Sequence, residues 1–306
     1  MKFHKQLIGI LLGASLFYSC EKTINPQLES AAPMLVVDAW LNNKVEDQLV
    51  KLSWSQSYLD NEVPPGVSGA TVTVRYDGGE IAFTEDADTP GTYRWVATDA
   101  TSKDVFGTIG RRYTLTVKVG EETYQATSRI NRTVPIDSIT FTYDENDPQY
   151  PDNSYTAEFW ATDAVGKGDT YWIRGYKNKV ALLKPSEITV AYDAGFSGGG
   201  NFDGVTFLPP LRSVNPDEQD ADDKQLSPYE PGDSVYVEIH SITLEAYNFL
   251  NEVIVQTDRP GGFGELFSTP LSNVSTNIVN TDSNGRKALG FFNVSAVSGM
   301  GKKLKE

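Results

Sequence analysis

Apolar and polar residues alternate in short runs along the first third of the chain. MLVVDAWL (34–41), QLVKLSWS (48–55), ATVTVRY (70–76), TYRWVA (92–97), RRYTLTVKV (111–119) and ETYQATSRI (122–130) change polarity at nearly every residue. A period of two marks a strand with one buried face, because successive side chains leave a pleated backbone on opposite sides. Val50, Leu52 and Trp54 share one face of such a strand; Tyr113, Leu115, Val117 and Val119 share one face of another. RYDGGE and KVGEET set glycine between alternating runs and predict tight hairpins. Six or seven short strands in about 100 residues, with no helical stretch between them, predict an immunoglobulin-like or fibronectin-like β-sandwich over residues 34–133.

Pro135, in RTVPIDS, interrupts the ladder and sets the expected start of a second domain at 134–306. This half is also mainly β but irregular, with SITFTY, YTAEFWA, DTYWIRGYK, SVYVEIHSI and ALGFFNVSAV as strands between long loops. AVGKGD (164–169) reads as a hairpin turn and lacks the spacing of a phosphate-wrapping loop. The one helix expected is TLEAYNFLNEVIVQ (243–256), where Leu244, Tyr247, Leu250 and Ile254 recur every three or four residues. Thr243 is its predicted N-cap and Glu245 stands in the first turn, where the helix dipole favours an anion. It is expected to cover one face of the second sheet.

The first 19 residues break the pattern. Lys2 and Lys5 precede an apolar run from Leu7 to Phe17, the layout of an export signal. The run is shorter than the roughly 20 residues a membrane-spanning helix needs. It ends at Cys20, the one cysteine in 306 residues, and Leu16, Ser19 and Cys20 resemble the lipobox of bacterial lipoproteins. The resemblance implies that residues 1–19 are removed and that Cys20 is acylated, leaving no thiol for disulfides, redox chemistry or metal binding. Three acyl chains at about 0.8 kcal/mol per buried CH2 give an anchor that does not let go. Residues 20–33, Cys20 followed by EKTINPQLESAAP, read as a polar tether between lipid and first domain.

Composition narrows the chemistry. A net charge of −15 argues against nucleic acid and against electrostatic docking on anionic lipid. With His4 in the leader, His240 is the one histidine of the mature chain, so a multi-histidine metal site within it is excluded. No nucleophile elbow accompanies His240, and no catalytic residue, metal or cofactor is assigned. Paired carboxylates are the catalytic groups left, and they keep a glycosidase open as an alternative. The acidic run from Asn215 to Asp223 lacks the spacing of a calcium loop and reads as a solvated, flexible loop. YDAGFSGGGNFDGVTFLPPL (192–211) spreads aromatics through glycines in a long loop. Tyr192, Phe196, Phe202, Asp203 and Phe207, with Phe263 in RPGGFGELF, are therefore the ligand- or partner-binding candidates, set against a reading in which the rings fold back over the core.

Several segments, in order, resemble one family. The lipobox, YTLTVKVGEETYQATSRI, VPIDSITFTY, DTYWIRGYK, SITLEAYNFLNEV, NVSTNI and LGFFNVSAVS are similar to the Bacteroidota lipoproteins grouped as domain of unknown function 4249. The family resemblance implies a lipid-anchored outer-membrane protein encoded beside TonB-dependent receptors, and it transfers no catalytic residue. The expectation is a non-enzymatic accessory or ligand-binding partner of a TonB-dependent transporter, at the cell surface or on the periplasmic face. A glycan-binding or carbohydrate-active surface lipoprotein is the alternative.

Overall fold

The six alternating runs of the first third become β1 (Leu35–Asn42), β2 (Gln48–Trp54), β3 (Thr71–Tyr76), β5 (Thr92–Trp95), β6 (Arg112–Val119) and β7 (Glu122–Arg129), and the structure adds β4 (Gly79–Glu85) after the RYDGGE turn. The computed structural model describes residues 32–305 apart from 58, 59, 61 and 147, so the leader, Cys20 and nearly all of the expected tether lie outside the described residues. Each strand turns one face inward: Leu35, Val37, Ala39 and Leu41 on β1 and Tyr113, Leu115 and Val117 on β6 are all at most 1% exposed. Both predicted hairpins form, with Tyr76 opposite Gly79 across Asp77 and Gly78, and Val119 opposite Glu122 across Gly120 and Glu121.

Between β5 and β6 the structure corrects the expectation of an unbroken run of strands. Helix α1 (Asp99–Phe106) stands there, capped by Thr98, whose side chain accepts from the Thr101 amide while the Thr101 hydroxyl accepts from the Thr98 amide. Val105 and Phe106 carry its buried face into the first core.

The second half adds β8 (Ser138–Asp144), β9 (Ser154–Trp160), β10 (Thr170–Lys177), β11 (Val180–Ala181), β12 (Thr189–Tyr192) and β13 (Ser234–Ser241). Helix α2 (Leu244–Thr257) follows, then β14 (Val279–Asn280), β15 (Ala288–Ser295) and β16 (Val297–Lys303). The protein is mainly β, and its largest sheet is a nearly closed barrel in the order β14-β7-β6-β3-β4-β5-β2-β1-β15. The expected sandwich is thus realised as one continuous sheet curled on itself. A second sheet runs β11-β10-β13-β16 with β12 on β10, and β8 and β9 form a separate pair. Because β9 pairs with β8 and β10 with β13, AVGKGD is a connection between sheets, not the hairpin its sequence predicts.

Strands from beyond residue 133 complete the first sheet. β15 lies parallel to β1, from Leu35 opposite Ala288 to Asn42 opposite Ser295. Close approach requires Gly290: with φ of +91°, a Cβ there would lie 2.0 Å from the Val37 carbonyl oxygen. On its far side β15 meets β7, where the Val294 amide donates to Ser128 Oγ at 3.0 Å and narrows the gap in the barrel. Ile278, Ala288, Phe292, Val294 and Ala296 therefore join the core built by Leu35 to Ile130. Ala296 alone separates β15 in the barrel from β16 in the second sheet.

β10 and β13 use both faces. Tyr171, Ile173, Val235, Val237 and Ile239 enter a second core with Phe159, Phe207 and Tyr229. Trp172 and His240 point the other way, toward the outer face of β1 and β15. There Trp40 meets Trp172 edge-on at 5.0 Å and stacks on Phe291 at 5.8 Å, with Phe249 of α2 at 4.8 Å from Phe291. The α2 helix forms as its periodicity predicts, with Thr243 Oγ1 accepting from the Ala246 amide. It covers the seam between two sheets instead of one sheet face. Ala246, Tyr247, Phe249 and Leu250 are buried, while Leu244, placed on the apolar stripe by spacing, is 47% exposed.

Candidate functional site

The candidate loop 192–211 is built around its own glycines. The Phe202 ring lies over Gly195 and Gly200, so close that a Cβ at either would come within about 2.2 Å of it. The Tyr192 ring covers Gly198 in the same way, at 2.8 Å from the position of a Cβ. These glycines are seats for neighbouring rings, since any side chain would fill the space a ring occupies. Asp203 Oδ1 accepts from the Gly166 amide at 2.7 Å and fastens the loop to the 164–169 connection. That connection is itself held by Arg132, which pairs with Asp169 and donates to the carbonyls of Ala164, Val165 and Gly166.

The candidate residues have different fates. Phe207 is 1% exposed in the second core, against Phe159 and Tyr171. Phe202 is half-buried on that core, and Tyr192 packs edge-on against Tyr247 at 5.9 Å. Phe196 is 53% exposed, held by its backbone, whose carbonyl accepts from Tyr247 Oη at 2.5 Å. Phe263 stands in the 3-10 turn Gly262–Phe267, and its side chain lies outside the described residues. The loop thus presents Phe196 to solvent and uses Phe202 and Phe207 for packing.

A groove that sequence reasoning missed opens on the second sheet. It holds about 290 Å³ and is lined by Gln149, Tyr150, Ser186, Glu187, Asn215, Asp217 and Gln225 above a floor of Ile173, Gly175, Leu182 and Val214. None of the candidate aromatics reaches it. Its polar wall comes from the acidic run: Asp217 accepts from Ser186 Oγ at 2.6 Å and Gln225 Nε2 at 2.8 Å, which holds its carboxyl below the usual range. Gln225 Oε1 is buried without a hydrogen-bond partner, an acceptor left unused in the wall. The rest of the run is a built turn, with Asp220 Oδ1 accepting from the amides of Asp222 and Lys224. Among the described residues no group of three or more His, Cys, Asp or Glu side chains is arranged to hold a metal ion.

His240 belongs to a buried ion cluster between the sheets. Glu238, 1% exposed, accepts from Lys44 Nζ at 2.6 Å, Tyr176 Oη at 2.9 Å and His240 Nε2 at 2.9 Å. Burial opposes ionisation of Glu238, but the bonds from His240 and Lys44 outweigh it and bring its pKa to about 2. Burial lowers the pKa of His240, so the ring is neutral and donates its Nε2 proton to the carboxylate. Burial, then the Glu238 charge, raises Tyr176 to about 12. The cluster ties the β1–β2 turn to β10 and β13, and it occupies the histidine fully.

Domain of unknown function (DUF4249) matches residues 21–299, and the chain belongs to that family. No curated protein matches the chain.

Proposed function

We propose that the protein is a non-enzymatic lipoprotein of the outer membrane, anchored through Cys20, that acts as an accessory or ligand-binding partner of a TonB-dependent transporter. The observation that carries this reading is the contrast between the two polar sites. His240, the ring that histidine-based catalysis would need, is 5% exposed and spends its proton on Glu238. The groove beside Asp217 is open and lined by amides, hydroxyls and carboxylates, groups that can hydrogen-bond a polar ligand. A tether from the lipid raises the effective concentration of such a site near a receptor mouth, so modest contacts suffice. Mass spectrometry of the natively produced protein is expected to find Cys20 acylated and the leader gone, and purification from detergent-solubilised outer membranes is expected to recover a large β-barrel with it. An unmodified cysteine, or repeated recovery of the lipoprotein alone, sinks the reading.

The groove also favours a second reading, a glycan-binding surface lipoprotein, because sugar hydroxyls match its alternating donors and acceptors. A glycan array combined with a turnover assay on the form lacking residues 1–20 separates binding from hydrolysis.

A further inference from the structure

Several arginines of this acidic chain pair with carboxylates where they stand. Arg94 pairs with Asp47 and Asp86, Arg111 with Asp77, Arg132 with Asp169 and Arg286 with Glu122. Arg174 lies over the rings of Trp172 and Tyr176. Arg75, Arg112 and Arg129 have neither arrangement, and all three are exposed on the outer face of the barrel.

The register gathers them. Arg112 is the direct cross-strand partner of Arg129, and Arg75, opposite Thr114, is one diagonal step from Arg112. Direct partners have Cβ atoms about 5 Å apart and diagonal ones about 7–8 Å, within reach of three long side chains. Arg75, Arg111, Arg112, Thr114 and Gly110 line a cleft of about 470 Å³, with the Asp77 carboxylate on its wall beside Arg111. The Arg129 guanidinium borders it, with Nη2 3.1 Å from where a Cβ on Gly110 would lie. Arg111 forms a fixed wall, donating to the Val105 carbonyl at 2.9 Å with its Nε 2.8 Å from Asp77. Glu80 stands opposite Arg75 in the ladder, yet no ion pair within 4.0 Å joins them.

Like charges placed directly opposite on a sheet destabilise it. In a chain with 41 acidic residues these three guanidiniums on adjacent strands still have no carboxylate partner among the described residues, Arg129 donating only to the Gly110 carbonyl at 3.2 Å, and they leave room for an anion from outside. Guanidinium forks match the oxygens of a tetrahedral oxyanion two at a time, and Thr114 adds a hydroxyl. We propose that this cleft binds a phosphate-type oxyanion carried on a soluble ligand. A net charge of −15 repels an anionic membrane, whereas a small phosphoryl group feels the local positive field once inside the Debye length of about 8–10 Å.

The test titrates the full chain with inorganic phosphate at fixed ionic strength, followed by calorimetry. Saturable binding is expected, weakened at least tenfold in Arg75→Gln and Arg112→Gln and unchanged in Lys118→Gln, a charge removed from the far end of the same face of β6. Arg112→Lys, which keeps the charge and loses the fork, gives an intermediate loss, and Arg112→Gln melts no lower than the wild type because a repulsion has gone. Absence of saturable phosphate binding overturns the proposal, as does equal weakening in Arg112→Gln and Lys118→Gln. Binding to vesicles containing phosphatidic acid without binding of inorganic phosphate overturns it too.

Discussion

Glu238 and Phe207 carry the energetics at the scale of single residues. Replacing Glu238 by Gln removes the buried counter-charge of Lys44 and turns one of the two oxygens that accept from Lys44, His240 and Tyr176 into a donor. Glu238→Gln is expected to cost about 3 kcal/mol, measured by urea unfolding at pH 7. The pH dependence has a definite sign. With a folded pKa of about 2 against 4.5, the unfolded chain takes up the proton first as pH falls. This stabilisation is complete above about pH 5 and drains away toward pH 2. His240 works in the same direction at higher pH: its lowered pKa means that only the unfolded chain protonates just below 6.5. Wild-type stability therefore declines from pH 7 downward, and Glu238→Gln flattens the lower part of that decline. Phe207→Ala removes a buried ring and should cost about 3–5 kcal/mol, whereas Phe196→Ala should stay within about 0.5 kcal/mol. Equal costs would mean that the loop does not seat as described. The sequence shows both as phenylalanines in one glycine-rich stretch, and what separates them is that Phe207 enters the second core beside Phe159 and Tyr171 while Phe196 stays outside it.

At the scale of elements, legibility follows locality. Strands β1 to β3, β5 to β7 and helix α2 are readable because each carries its own period, and the β3–β4 and β6–β7 hairpins because their turns carry glycine. The α1 helix escapes notice because eight residues with two apolar contacts make a weak stripe; its signal is the Thr98–Thr101 capping box, two hydroxyls three residues apart. The groove is invisible for a different reason: Gln149, Ser186, Asp217 and Gln225 come from four separate segments, and polar residues in loops carry no period. Leu244 falls on the α2 stripe by spacing yet is exposed, while Ala246 and Tyr247 in the same turn are buried, so the face the helix buries is rotated away from Leu244. Thr243 holds that helix at both ends of an argument, capping the Ala246 amide while its own amide donates to Asn293 Oδ1 at 3.1 Å. Thr243→Ala is expected to lose about 1 kcal/mol, with α2 amides exchanging hydrogen faster and those of β6 unaffected.

At the scale of the whole molecule, the division expected at residue 133 meets a chain that crosses back. The first large core takes residues from Leu35 to Ile130 together with Ile278 to Ala296, and the second takes residues from Val134 to Leu304. The barrel, however, is finished by β14 and β15, more than 140 residues later, and no alternation pattern names a strand's partner at that distance. Without β15, the Val37 and Ala39 side of β1 becomes an unpaired edge, and Phe292 and Val294, both 0% exposed, vanish from the core. Full burial of each such side chain contributes about 1.5–3 kcal/mol, comparable with a large part of a domain's net stability. A fragment spanning residues 34–133 is therefore expected to lack a cooperative thermal transition and to bind a hydrophobic dye. Adding a peptide of residues 273–298 should restore the transition by supplying the parallel strand in trans. If the fragment alone melts cooperatively with dispersed amide resonances, the returning strand is a late addition to a self-sufficient sheet, and the barrel's stability does not depend on it.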